Sequence, residues 1–106
     1  MKLTKPKKIR SKKITQSAKG ENCTLRIPSV CNGNSETVVF AHIEGNKGTS
    51  TKNHDLFGCY CCSYCHDWLD GRSGYGVKDH YKEVLRALQE TQLILVRKGL
   101  IKVDGA

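Results

Sequence analysis

The chain has 106 residues, with 18 lysines and arginines against 10 acidic residues, and six cysteines. That length holds one domain with a small core, so a cross-link or bound metal would supply a large share of its stability. A formal charge of +8 favours anionic partners, and no apolar run approaches the length that spans a bilayer.

The charge is gathered at one end. Residues 1 to 20 carry Lys2, Lys5, Lys7, Lys8, Arg10, Lys12, Lys13 and Lys19 with no acid, whereas the ten basic and ten acidic residues that follow cancel. With so little apolar content, this stretch reads as a flexible basic arm. Its cations, Lys5, Lys7, Lys8, Arg10, Lys12 and Lys13 among them, can displace counterions from a phosphate backbone without reading sequence. It holds no apolar stretch of the kind a secretory leader needs. A reducing cytoplasm is therefore expected, and metal-bound thiolates are favoured over the three disulfides that six cysteines would also allow.

Residues 21 to 106 read as the globular part, of α+β class. Cys23 to Ile27 alternates enough to be a short strand, and Pro28-Ser29 with Asn32-Gly33-Asn34 marks turns around Cys31. Glu36 to Ile43, rich in Val, Thr, Phe and Ile, is the best strand. Residues 44 to 55 follow neither period and are expected to form an exposed loop. A first helix starts near Cys62 or Ser63 and carries Cys65, His66, Trp68, Leu69 and Asp70 before Gly71 stops it. A second, long helix presents Val77, Tyr81, Val84, Leu85, Leu88, Gln92 and Leu95 on one face, with Asp79 in its first turn, Arg97 and Lys98 in its last and Gly99 at its end. Leu100 to Val103 reads as a final short strand or a packing tail.

Cys62-Ser63-Tyr64-Cys65-His66 is the most informative motif. Two thiolates three positions apart at a helix start can close half of a tetrahedral zinc site, and Cys23 with Cys31 offers the other half from a turn around Pro28. The rival set replaces Cys31 by Cys59 or Cys61. Those two otherwise read as small buried hydrophobes on one face of a strand entering the helix.

Cys23 to Cys31, Ala41-His42-Ile43, Asp55-Leu56 and Cys62-Ser63-Tyr64-Cys65-His66-Asp67, in that order, resemble the HNH or ββα-metal nucleases, and most of all the small prophage-encoded nucleases of the YbcO type. The resemblance spans about residues 21 to 72. It implies a zinc-stapled, treble-clef-like ββα core that cleaves DNA with a divalent ion, magnesium or manganese, in the cytoplasm of a host cell. By position, His42 corresponds to the strand histidine that acts as general base. His66 corresponds to the helix histidine that ligates the catalytic ion, and Asp55 falls where a side chain orients the base. One position departs from the pattern: the acid or second histidine that often precedes the strand histidine is here Ala41. A replacement ligand is expected from Asp70, one helical turn after His66. Ala41 is also what supports a different class of function, a catalytically silent zinc module docking on DNA or on a recombination or replication protein.

Overall fold

The computed structural model describes residues 7–44, 52–71 and 80–105. Within them the order is α1 (Lys12–Gln16), a 3₁₀ turn (Ser35–Thr37), β1 (Val39–His42), β2 (Gly58–Cys61), α2 (Ser63–Leu69) and α3 (Tyr81–Arg97). β1 and β2 pair antiparallel, with Ala41 opposite Cys59 and His42 opposite Gly58. α2 follows β2 almost directly and packs against both strands, and α3 lies across β2. The pleat sends Ala41 into the core and leaves Phe40 and His42 together on the other face, ring centroids 5.3 Å apart. No helix among the described residues is long and apolar enough to cross a membrane.

α2 begins where Cys62, extended and with its sulfur accepting from the Cys65 amide at 3.4 Å, caps the first turn. It ends at Gly71, whose φ of +80° is the left-handed conformation that closes a helix. α3 ends in the same way at Gly99. Its start lies later than the sequence pattern suggests, and Val77 and Asp79 fall outside the described residues. Its buried stripe is Val84, Ala87, Thr91 and Leu95, whereas Tyr81 and Leu85 face solvent. The stripe turns toward small residues because α3 must approach the Cys23 turn closely. The Thr91 hydroxyl is satisfied there at 2.9 Å from that of Thr24, and the Arg86 guanidinium donates to the Thr24 and Leu25 carbonyls at 2.7 Å each.

Four expectations need correction. Residues 7–20 are not a free arm: Ser11 caps α1, Ile14 and Ala18 are buried, and the Ser17 and Tyr60 hydroxyls lie 2.7 Å apart. The two apolar residues sit one helical turn apart among lysines that all point outward, which is enough to dock a short helix. Cys23 to Ile27 is not a strand, because Arg26 turns to φ +46° and donates its amide to the Cys23 sulfur. Glu36 to Ile43 is a strand only from Val39, Asn34 having capped a 3₁₀ turn ahead of it. Of the two readings of Leu100 to Val103 only the strand fails: Leu100 and Ile101 donate their amides back to the Leu95 carbonyl, and Ile101 and Val103 line a groove beside α3.

Candidate active site and metal centre

The Sγ atoms of Cys23, Cys31, Cys62 and Cys65 all lie within 4.8 Å of one another. Cys31 and Cys62 are 3.8 Å apart, about the S···S edge of a tetrahedron with Zn–S bonds of about 2.3 Å. Two turns supply the sulfurs. The first is closed by the Val30 and Cys31 amides donating to Ile27 O at 3.1 and 2.9 Å, and the second is the capped start of α2. Amides of Arg26, Asn32 and Cys65 point at the Cys23 and Cys62 sulfurs at 3.4–3.5 Å, which favours thiolates.

The neighbouring Cys65 thiol, against the effect of burial, brings Cys23 down to about 4, and the same contact pushes Cys65 far above the ordinary thiol range. Burial, with Cys23 beside it, pushes Cys31 up as well. A bound cation would favour the deprotonated forms of Cys31 and Cys65 that their surroundings otherwise oppose. Donor type, number and spacing fit a metal such as zinc. Cys59 and Cys61 stand apart from this cluster on β2, fully buried, their sulfurs 3.0 Å from each other.

A cleft of about 310 Å³ opens beside the centre, lined by Phe40, His42, Glu44, Lys52, His66 and Asp70. β1 presents His42 from one side, and α2 presents His66 and Asp70 from the other, Nε2 and Oδ2 being 3.6 Å apart at helical i,i+4 spacing. The His42 Nε2 is 2.7 Å from Asp55 Oδ1, with both side chains largely buried, at 11% and 4% exposure.

Burial disfavours the charged form of Asp55. Hydrogen bonds from His42 and from the Ser11 amide, together with the charges of His42 and Arg10, outweigh it and hold the carboxyl below its ordinary range. An ionised carboxylate only accepts, so Nε2 is the donor in this contact and carries the hydrogen. A larger groove of about 550 Å³ runs over the outer face of α3, lined by Leu56, Phe57, Leu93, Val96, Ile101 and Val103 with two glutamines, none of them titratable.

Of the basic residues read as backbone contacts, Lys7, Lys8, Lys12 and Lys13 are exposed, and Lys5 lies outside the described residues. Arg10, its side chain 45% exposed, also has partners within the protein. Its guanidinium is taken up by Asp55 Oδ1 at 3.3 Å, Lys52 O at 2.7 Å and Asn53 O. The sequence reading also passed over Ser11, Glu44 and Lys52. Ser11 had a signal, since a serine three residues before Ile14 is a helix cap. Glu44 and Lys52 had none, because only the β1–β2 fold brings them to the cleft.

Four clustered cysteines that could hold a metal ion, a histidine–carboxylate cleft, and a hairpin followed by a helix define a small α+β protein. The family model described as "Putative nuclease YbcO" matches residues 12–100, and the chain belongs to that family. Two relatives carry the same description, one from Escherichia coli (strain K12) and one from Enterobacteria phage 82. Each is 44% identical over 92 residues, covering 84% of this chain and 96% of the relative. A solved structure described as that of a putative bacteriophage protein from E. coli K-12 has 40% identity and a TM-score of 0.65, covering 80% of this chain and 98% of that one.

Proposed function

We propose that the chain is a phage-type HNH endonuclease that hydrolyses DNA phosphodiesters in the host cytoplasm, with zinc at the four cysteines as a structural staple. The observation that carries this is the cleft in which His42, held by Asp55, faces His66 and Asp70. His42 Nδ1 takes the proton from the attacking water. Asp55 fixes the tautomer and ring orientation and stabilises the imidazolium that forms. Phe40, edge-on to the ring, limits its rotation.

His66 and Asp70 would hold magnesium or manganese, which when bound stabilises charge on the phosphate and on the leaving oxygen. Two partly exposed protein ligands suit such an ion, which keeps waters and binds substrate phosphate. Asp70 then does what Ala41 cannot. Lys52 at the cleft rim places a cation beside the phosphate, and the exposed lysines at the N-terminal end add backbone affinity without sequence choice.

A plasmid-nicking assay with added magnesium or manganese tests this. His42→Ala is expected to lower the rate about 100- to 10,000-fold while leaving zinc content unchanged and unfolding cooperative. His66→Ala is expected to remove cleavage and weaken metal dependence. Cleavage by His42→Ala at the wild-type rate would rule out this base. The second reading, a silent zinc module docking on DNA or on a recombination or replication protein, is favoured by buried Ala41. Inactivity of the wild-type protein on every DNA form and divalent ion would select it.

A further inference from the structure

We infer that Arg10 and the Ser11 amide are positioning residues of the reaction, acting through Asp55 on His42; this rests on the nuclease reading above for its kinetic part. Asp55 is buried and accepts three hydrogen bonds. His42 Nε2 and Arg10 Nη1 share Oδ1, at 2.7 and 3.3 Å, while the Ser11 amide takes Oδ2 at 2.6 Å. Two of the three come from the N-terminal segment, outside the motif that contains the histidines.

The segment is locked to the loop that carries Asp55. The Asp55 amide donates to Ile9 O at 2.9 Å, and the Ile9 amide donates to His54 Nδ1 at 2.9 Å. Immediately beyond, Ser11 caps α1, whose Ile14 is buried in turn.

The chemistry explains why arginine stands there. Its planar fork can meet the carboxylate and the Lys52 and Asn53 carbonyls at once, which a lysine ammonium on a flexible stem does less well. A buried carboxylate stripped of that charge partner either takes up a proton or swings toward water. Either way the His42 ring loses the acceptor that sets its tautomer. The Arg10 cation, its side chain 45% exposed, therefore has a carboxylate partner within the protein.

Arg10→Gln in the full-length, zinc-loaded protein separates the alternatives. The expected result is a kcat lowered about 10- to 100-fold, with KM, the salt dependence of DNA binding, and zinc content unchanged. In ¹⁵N-detected NMR the Nε2–H of His42 should exchange with water faster than in the wild type. Arg10→Lys, which keeps the charge and gives up the fork, should show the same signature to a smaller degree and guards against unfolding.

A raised KM and a shallower salt slope, with kcat and the His42 signal unchanged, would make Arg10 a phosphate contact and overturn the assignment. So would loss of zinc and of cooperative unfolding in both variants, which would make the segment a structural strap. If the wild-type protein cleaves nothing, the His42 signal still decides: faster exchange in Arg10→Gln supports the positioning role while the nuclease reading fails, and unchanged exchange overturns it.

Discussion

Asp55 and Cys65 show how single buried groups set the chemistry of this protein. Because His42, Ser11 and Arg10 hold the Asp55 carboxyl below its ordinary value of 3.8, its ionised form stabilises the fold fully above that value. The contribution disappears as the pH falls through the lowered folded value. Asp55→Asn should cost about 1.5–3 kcal/mol at neutral pH, the range for hydrogen bonds to a charged group. In urea titrations, the gap between variant and wild type should be flat from pH 7 to about 5 and close below about pH 4. A gap that stays constant down to pH 3 would mean that Asp55 does not carry the charge.

Among the cysteines the contrast is between two buried ones, Cys65 in the cluster and Cys59 on β2. Cys65→Ser should lose the bound metal and cooperative unfolding together, since metal binding and folding are coupled in so small a domain. Cys59→Ser should keep the metal and lose about 1–3 kcal/mol for burying a hydroxyl. Elemental analysis and thermal unfolding of Cys59→Ser, and of Cys61→Ser beside it, distinguish the four-cysteine site from the rival set, which needs one of those two sulfurs.

At the scale of elements, β2 is the tightest part of the structure, and Gly58 is the reason β1 can lie so close. A Cβ there would run into the Phe40 ring and stand 2.7 Å from the Ala41 carbonyl oxygen. Gly58→Ala should destabilise by about 1–3 kcal/mol, as overpacked cores do. It should also reduce cleavage, because Phe40 must move and it packs on His42. Equal urea midpoints for variant and wild type would contradict this.

The elements legible in the sequence were those whose ends are marked by local chemistry. α2 is bounded by Cys62 and Gly71, and Gly99 stops the last turn of α3. The cysteine quartet was legible for a similar reason, as two pairs each close in sequence. What was hidden depends on contacts distant along the chain. The Cys23 turn looks like a strand until its backbone bends to aim an amide at sulfur. The buried stripe of α3 follows its packing on β2 and the Thr24–Thr91 contact, not its own strongest apolar period. α1 looked like tail because only Ile14 and Ala18 betray it, and the Arg10–Asp55 contact spans 45 positions of sequence.

For the whole molecule, the docking of residues 7–20 changes what the positive charge does. An arm free in solution would offer its lysines anywhere within its reach. Here α1 packs beside β1, the strand that carries His42, so Lys12 and Lys13 are held on a helix docked against the body, with Lys7 and Lys8 a few positions ahead of them. If the chain binds DNA as proposed, cations fixed in this way would lose less entropy on meeting a phosphate backbone.

Two experiments separate this arrangement from a tether. Deleting residues 1–18 removes Ile14, Arg10 and the Ser11 amide with the lysines, so it should lower the unfolding midpoint and abolish cleavage as well as weaken binding. Replacing Lys7, Lys8, Lys12 and Lys13 by glutamine removes only the charge. It should leave the midpoint within about 0.5 kcal/mol and reduce the slope of log affinity against log salt by about 0.9 for each duplex phosphate that is no longer neutralised. If the fourfold variant binds with the wild-type salt slope, the phosphate-binding groups lie elsewhere on the molecule. If instead the deletion leaves the unfolding midpoint unchanged, residues 7–18 contribute nothing to the core, and α1 is the tail that its composition resembles.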